Sequence, residues 1–216
     1  MTNQPPVHEA ANRRDWPAYF DRMKGKPARD TVLKALANFE DIDPSNPPLA
    51  VDLGCGAGRD SVALLNAGWN VWAQDSSADG IARTKARPEI RSALDQARID
   101  ITQADFVGLQ IPKATLVNAS FSLPFCPPEH FPALWKQIDA AIEPGGRFSG
   151  QFFGDRDDWA TLDDRTHLTR SETLTLFHQY ILESFIEEDR PSKHTDENHK
   201  HWHVFHVVAR KRGSAS

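Results

Sequence analysis

One short segment limits what this chain can fold into more than any other. It is Val51-Asp52-Leu53-Gly54-Cys55-Gly56-Ala57-Gly58-Arg59-Asp60-Ser61, where an apolar run enters three glycines spaced by two and leaves as a helix-compatible stretch. Glycine at such positions lets the backbone turn sharply and lets a ligand approach the start of the following helix. Two readings compete: a dinucleotide fingerprint, and a loop for a nucleoside without a pyrophosphate. The fingerprint asks for Gly or Ala three places after the second glycine, where this chain has Arg59. A phosphate-cradling loop ending in Gly-Lys-Ser/Thr is also missing. What remains is an Asp-x-Gly-x-Gly-x-Gly loop. Asp75 follows 17 residues after Gly58, at the end of the next apolar run, where a carboxylate can accept both hydroxyls of a ribose. Asp105, after a third run, is a candidate acceptor for an exocyclic adenine amine.

Around this loop, strand-like and helix-like stretches alternate. Residues 49–53, 70–74, 98–103, 114–119 and 147–153 read as strands, and residues 59–67, 77–87, 91–97 and 129–142 as helices. In the last helix Phe131, Leu134, Trp135, Ile138 and Ile142 share the inward face. Such alternation predicts a parallel sheet with helices on both faces. After a helix near 171–177, residues 180–188 and 202–210 are both strand-like, which predicts an antiparallel pair closing one sheet edge. At the other end, a helical stripe covers 30–39. Before it lies an arm in which Trp16, Tyr19, Phe20 and Met23 fall on one face of a short helix.

Composition narrows the partners. Among 216 residues, 25 are Lys or Arg and 30 are Asp or Glu, a net charge of -5 that offers no basic field for a polyphosphate backbone. Nucleic acid is therefore not an expected partner. No run approaches the roughly 18 apolar residues of a membrane span, so no membrane association is expected either. The first residues lack the basic-then-apolar pattern of a secretory signal, and the expected location is the cytoplasm. The two cysteines, Cys55 and Cys126, are expected to be free thiols.

In order and spacing, the loop from Asp52 to Gly58, Asp75, Asp105-Phe106 and Glu143-Pro144-Gly145-Gly146-Arg147 resemble the class I S-adenosylmethionine-dependent methyltransferases, over roughly residues 49–153. The resemblance implies an α/β fold: a Rossmann-like, doubly wound, seven-stranded sheet with an antiparallel last strand, in a three-layer αβα sandwich. It implies S-adenosylmethionine as cofactor and S-adenosylhomocysteine as product. By the same resemblance Gly54, Gly56 and Gly58 pass under the cofactor, with Cys55 a small filler between them, and Asp52 orients its amino group directly or through water. Asp75 binds the ribose, Ser76 flanks the adenine, Asp105 and Phe106 hold the base, and Ala119 and Ser120 lie beside the methionine moiety. The arm, Trp16-Pro17-Ala18-Tyr19-Phe20 with Gly25-Lys26-Pro27-Ala28-Arg29, resembles the start of small-molecule methyltransferases related to tellurite-resistance and thiopurine enzymes. In that subgroup the segment closes over the cofactor, which would bring Trp16 to it and Arg29 to the methionine carboxylate. The chain then reads as one methyltransferase domain: residues 1–29 an arm or lid, 30–153 the cofactor-binding core, and 154–216 a substrate-side helix and closing hairpin.

Methyl transfer from a sulfonium is an in-line displacement with a neutral leaving group, so alignment and exclusion of water are the main requirements. A hydroxyl acceptor would add a need for a general base. No paired acid and base stands at diagnostic spacing; His167, Asp155 and Glu129 are the candidates, and no catalytic residue is assigned. For the acceptor pocket the candidates are Phe121 and Phe125 after the fourth strand, Arg156 and Trp159 after the fifth, and His201 and Trp202 entering the last. Five of the nine histidines, His194, His199, His201, His203 and His206, crowd the end of the chain. On a strand His199, His201 and His203 share one face at roughly 7 Å spacing, but that face continues into core-like Phe205 and Val207, so no metal site is assigned. The expected activity is methyl transfer to a small-molecule acceptor by a monomer or homodimer. A protein or peptide methyltransferase and a non-catalytic S-adenosylmethionine-binding module are the alternatives.

Overall fold

The structure, a computed structural model, describes residues 7–40, 42–191 and 200–213. His194 and His199 lie outside the described residues. Two short helices come first, α1 (Val7–Asn12) and α2 (Trp16–Met23), then α3 (Asp30–Ala37). Helix α2 starts because Asp15 accepts the amide of Ala18 and Pro17 sits in the first turn, where its missing N–H costs nothing. The alternating part comes next: β1 (Leu49–Leu53), α4 (Arg59–Asn66), β2 (Asn70–Asp75), α5 (Ala78–Ala86), α6 (Pro88–Asp95), β3 (Ile99–Gln103), β4 (Ala114–Ala119), α7 (Phe131–Ala141) and β5 (Ile142–Gly154). The chain closes with β6 (His167–Leu168), α8 (Arg170–Leu176), β7 (Tyr180–Pro191) and β8 (His201–Lys211).

The strands form one sheet in the order β3-β2-β1-β4-β5-β8-β7, with the two-residue β6 paired to β5 off this path. Pairings from β3 to β5 are parallel; β8 runs antiparallel to both β5 and β7. This is the doubly wound sheet with an antiparallel last strand that the resemblance implies. One buried cluster, with Val117, Leu134, Trp135, Phe148, Phe152 and Phe205, packs α7 and α8 on one side of the sheet. A second, with Val32, Ala50, Leu64, Trp69, Val71 and Ile90, packs α3, α4 and α6 on the other. Among the described residues no helix is long and apolar enough to cross a membrane.

Three local details differ from the pattern-based expectation. Pro88 opens helix α6 instead of only ending α5, since proline's fixed φ suits a first helical position. Pro144-Gly145-Gly146 falls inside β5, where the pairing with β4 slips between Ala114 and Leu116. Helix α1 has no counterpart in the apolar pattern, because two buried alanines are its only core contribution.

The register of the β7–β8 hairpin decides which of its side chains can reach the C-terminal ends of the parallel strands. Ile186, Glu188 and Arg190 pair with His206, Val204 and Trp202, while Glu187, Asp189 and Pro191 pair with Phe205, His203 and His201. Because strand side chains alternate between faces, these two sets point to opposite sides of the sheet. The first set shares its side with Gln151 and Phe153, the β5 partners of His206 and Val204.

Candidate functional site

The parallel strands deliver their C-terminal ends to one cavity of about 1430 Å³. Its first part is built on the glycine loop. Gly54 and Gly56 hold φ of +68° and +55°, and a Cβ on Gly56 would stand 2.8 Å from the ring of Phe20. The loop is thus turned through left-handed backbone and packed too closely for side chains. At the end of β2, Asp75 accepts the amides of Gly56 at 2.7 Å and Ser77 at 2.8 Å, one on each carboxylate oxygen. Each oxygen keeps a lone-pair direction for a further donor, as a diol requires. Burial raises the Asp75 pKa, against the opposing pull of the Ser77, Gly56 and Ser76 amides. Ser76, Asp105 and Phe106 line the same part of the cavity, with Asp105 also accepting the amide of Val107 at 3.0 Å.

Asp52 is held differently. It is fully buried, accepting from Ser61 Oγ at 2.5 Å and Asn118 Nδ2 at 2.9 Å. Burial, and then the neighbouring Asp60, push its pKa up to about 7. Asp60 in turn accepts the backbone amide of Arg29 at 3.0 Å, so a chain of polar contacts joins β1, α4, β4 and the start of α3. Cys55, between the glycines, is buried with its thiol pKa raised first by burial and then by Asp52 and Asp75; it fills space as a protonated thiol.

The arm forms the roof. Phe20 packs on Gly56 and Gly80; Arg83 bridges to Asp21 of α2 at 2.5 Å; and the buried Arg165 donates to the Asn12 carbonyl at 3.2 Å and side chain at 3.1 Å. Arg29 lies inside. Its guanidinium stands 4.4 Å from the centre of the Phe121 ring and donates to Tyr19 Oη at 3.2 Å, while its Nε is buried with no hydrogen-bond partner. A buried unpaired cationic donor lining a cavity fits an anionic group of a ligand. Together with the Asp75 carboxylate and the glycine loop, it makes the donor and acceptor set that S-adenosylmethionine needs, so the residues present fit that cofactor.

Beyond Ser120 and Phe121 the cavity becomes aromatic. Trp16, Phe121, Phe125, Phe153, Trp159 and Trp202 gather into one cluster with Ala11 and Val204. Trp16 meets Phe125 edge-on at 5.0 Å, and Trp159 meets Trp202 at 5.5 Å. Pocket candidates Phe121, Phe125, Trp159 and Trp202 are thus brought together, and Trp16 joins them from the arm. Behind the wall, Lys200 pairs with Asp157 and lies 4.1 Å from the Trp159 and Trp202 rings.

Other candidates are not brought here. Gly58 and Ala119 sit outside the cavity lining. Arg156 and His201 also lie outside it, and strand alternation is the reason for His201: it faces away from its neighbour Trp202. Both join an ion cluster on the far face, where Arg156 stands 2.8 Å from Glu187 and 2.7 Å from Asp189, and His201 Nε2 2.6 Å from Asp189. Asp155, a candidate base, belongs to that cluster as well, 3.4 Å from Nδ1 of the buried His203. Glu187, Asp189 and His203 bring possible ligand atoms within 4.8 Å of one another, but the Arg156 guanidinium already supplies the positive charge between them. His167, a second candidate base, stacks on Phe153 at 5.7 Å outside the cavity lining, with Nε2 buried and unpartnered and its pKa lowered by burial. Glu129, the third, is an exposed residue beside His130, also outside the lining.

The cavity also contains residues not selected from the sequence as site residues: Tyr19, Phe20, Gln151, Glu188, Arg190 and His206. The available signal was the period-two set Trp202, Val204 and His206, which becomes decisive only once β8 has a partner on each side.

Comparison with known proteins agrees with this geometry. Residues 50–146 match the family described as "Methyltransferase domain". Curated relatives include a carboxy-S-adenosyl-L-methionine synthase from Photorhabdus laumondii, 24% identical over 68% of this chain and 65% of its own length. The counterpart from Vibrio campbellii is 29% identical over 59% of this chain and 57% of its own length; the chain thus spans less than two thirds of these relatives. Among solved structures, TehB from Haemophilus influenzae superposes with a TM-score of 0.71 at 19% identity, covering 91% of this chain and 67% of that one. The 1,6-didemethyltoxoflavin-N1-methyltransferase of Burkholderia thailandensis, solved with 1,6-didemethyltoxoflavin and S-adenosylhomocysteine, gives 0.60 at 20% identity over 98% and 93%. Residues 50–146 thus match a methyltransferase domain, and the chain has the class I S-adenosylmethionine-dependent methyltransferase fold.

Proposed function

We propose that the protein transfers a methyl group from S-adenosylmethionine to a small-molecule acceptor. The observation that carries this reading is the continuity of one cavity, polar at the glycine loop and Asp75, aromatic at Trp16, Phe125, Trp159 and Trp202. When bound, the cofactor supplies a sulfonium methyl and leaves as a neutral thioether. The chain's own residues then divide the remaining work. Asp75 accepts from the ribose hydroxyls, and Asp105 and Phe106 hold the adenine. The Gly54–Gly56 backbone passes beneath the nucleoside, and Arg29 neutralises the methionine carboxylate. Asp52, with its carboxylate occupied by Ser61 and Asn118, contributes by fixing the loop and reaches the amino group only through its neighbours or water. The α1–α2 arm excludes water from the reacting atoms, which strengthens the charge contacts inside.

Calorimetry with S-adenosylhomocysteine tests the first half, and a product assay over thiol, amine, hydroxyl and oxyanion acceptors tests the second. Cofactor binding without turnover on any acceptor would favour a binding module, and turnover only on peptides would favour a protein methyltransferase. The names of the curated relatives support one second reading, in which the cofactor itself is carboxylated. A nucleoside product heavier than S-adenosylmethionine, in place of S-adenosylhomocysteine, would select it.

A further inference from the structure

Among the described residues, His206 is the one histidine of the closing hairpin that lines the aromatic part of the cavity. It is half-buried, edge-on to the Phe121 ring at 6.0 Å between centres, and therefore one side chain beyond Ser120. Its Nε2 stands 3.1 Å from Glu188 Oε2, and Glu188 is anchored through its other oxygen by Arg190 at 2.6 Å. A carboxylate bound at Nε2 holds that nitrogen protonated and leaves Nδ1 as the lone-pair nitrogen; no described residue is drawn to Nδ1. This is the carboxylate–imidazole arrangement that general bases use. We propose that His206, oriented by Glu188, is the proton acceptor for methyl transfer to an aromatic hydroxyl held among Trp16, Phe125, Trp159 and Trp202. The inference rests on the methyltransferase reading above and names the acceptor class for it.

The surrounding charge selects the acceptor. The wall rings pack on one another at 5.0–6.4 Å between centres and present a continuous aromatic surface to the cavity, which suits an aromatic ring. Cations already occupy those walls: Arg29 over Phe121, Arg165 5.0 Å from the Trp159 centre, and Lys200 over both tryptophans. With cations already over or beside these rings, an ammonium acceptor gains no further cation–π contact there, and a neutral aromatic ring suits them better. A thiol is already partly ionised near neutral pH and needs no base, while a phenol, with pKa near 10, does. In the step an O–CH3 bond forms as the S–CH3 bond breaks, the electron pair of that bond stays on sulfur, and the hydroxyl proton passes to Nδ1. Facing the imidazole are Glu188 from β7, Arg29 and Asp30 from the start of α3, Phe121 from the end of β4 and neutral Gln151 from β5. Burial first, with help from Arg29, lowers the His206 pKa, against the upward pull of Glu188 and Asp30. The imidazole is therefore unprotonated at neutral pH.

The test uses the full chain and a series of phenols from 4-methoxyphenol to pentafluorophenol, with 4-methylthiophenol alongside and binding of S-adenosylhomocysteine measured in parallel. His206→Gln should bind S-adenosylhomocysteine as the wild type does and lose about 10²- to 10⁴-fold in transfer to weakly acidic phenols, with the loss vanishing for phenols already ionised at the assay pH. Glu188→Gln should shift the acid limb of the pH–rate profile to lower pH, a change that a packing role would not produce. His206→Asn serves if the first variant fails to fold. Equal rates for His206→Gln and wild type on weakly acidic phenols overturn the proposal, as does wild-type transfer to the thiol but to no phenol. Failure of the wild type to bind the cofactor overturns instead the reading on which the proposal rests.

Discussion

Asp75 ends β2 and Asp52 is next to last in the adjacent β1, and both border the glycine loop, yet their carboxylates do different work. Asp75 is the partly exposed one, pinned by two backbone amides and open to the cavity. Asp75→Ala removes the carboxylate placed for a diol, and each hydrogen bond to a charged group contributes about 1.5–3 kcal/mol. S-adenosylhomocysteine affinity should fall by roughly 10²-fold or more, measured by calorimetry; an unchanged affinity would remove the ribose assignment. Asp52 is a structural carboxyl whose folded pKa of about 7 lies above its ordinary value. The folded state therefore holds this proton more tightly than the unfolded chain. The resulting stabilisation is fully present below about pH 4 and is lost as pH rises through about 7. Asp52→Asn can keep both partners, accepting from Asn118 and donating to Ser61, without titrating. Its urea midpoint should change less between pH 5 and pH 8 than the wild-type midpoint does, and an identical pH response would assign the wild-type dependence to other groups.

At the scale of elements, the arm meets the rest of the molecule through Phe20 against the glycine loop, Asp21 with Arg83, Trp16 against Phe125, and Arg14 and Arg165 between α1 and the segment before β6. Arg14 donates to the Asp164 carbonyl at 2.7 Å, and Arg165 reaches Asn12. An exposed pair such as Arg14–Asp164 contributes little. Phe20 is the apolar anchor, so Phe20→Ala should loosen α2 over the loop and weaken S-adenosylhomocysteine binding by about 10-fold, equivalent to about 1.4 kcal/mol, while the urea midpoint of the sheet stays near the wild-type value. Removing residues 1–26 should weaken binding at least as much; unchanged affinity in both variants would mean that the arm is not a lid. The amphipathic spacing of Trp16, Tyr19, Phe20 and Met23 makes this helix legible in the sequence. What it covers is visible there only through resemblance, because a helical stripe states that a face is buried and not against what.

Across the whole molecule, the legible half is the half whose chemistry is local. A glycine loop, the acidic residue ending the next strand and the alternation of strands and helices are short-range patterns, and each recurs in the sheet as read. The acceptor side depends on the register of a hairpin whose two strands are joined by residues 192–200, with a pairing shift between Leu182 and Ser184. One residue of slip would exchange the faces, and with them Glu188 and His206 for Glu187 and His203. That is why Arg156 and His201, plausible pocket residues by position, belong to the ion cluster on the other side. The face assignment is locked near the hairpin's loop end by Asp157, which accepts from Lys200 Nζ, from the Trp159 amide at 3.0 Å and from the His203 amide at 3.2 Å. Both side chains of the Lys200–Asp157 pair are almost fully buried. Removing one partner of such a pair leaves an uncompensated charge and costs about 3–5 kcal/mol. Two backbone donors remain on Asp157 in Lys200→Met, so its loss in urea unfolding should fall near the low end of that range. Adding Asp157→Asn should recover part of it, because the buried carboxylate is then gone while its amide oxygen still accepts from one of the two backbone amides. A Lys200→Met protein as stable as the wild type would mean that the register of β8 is fixed by its apolar face alone.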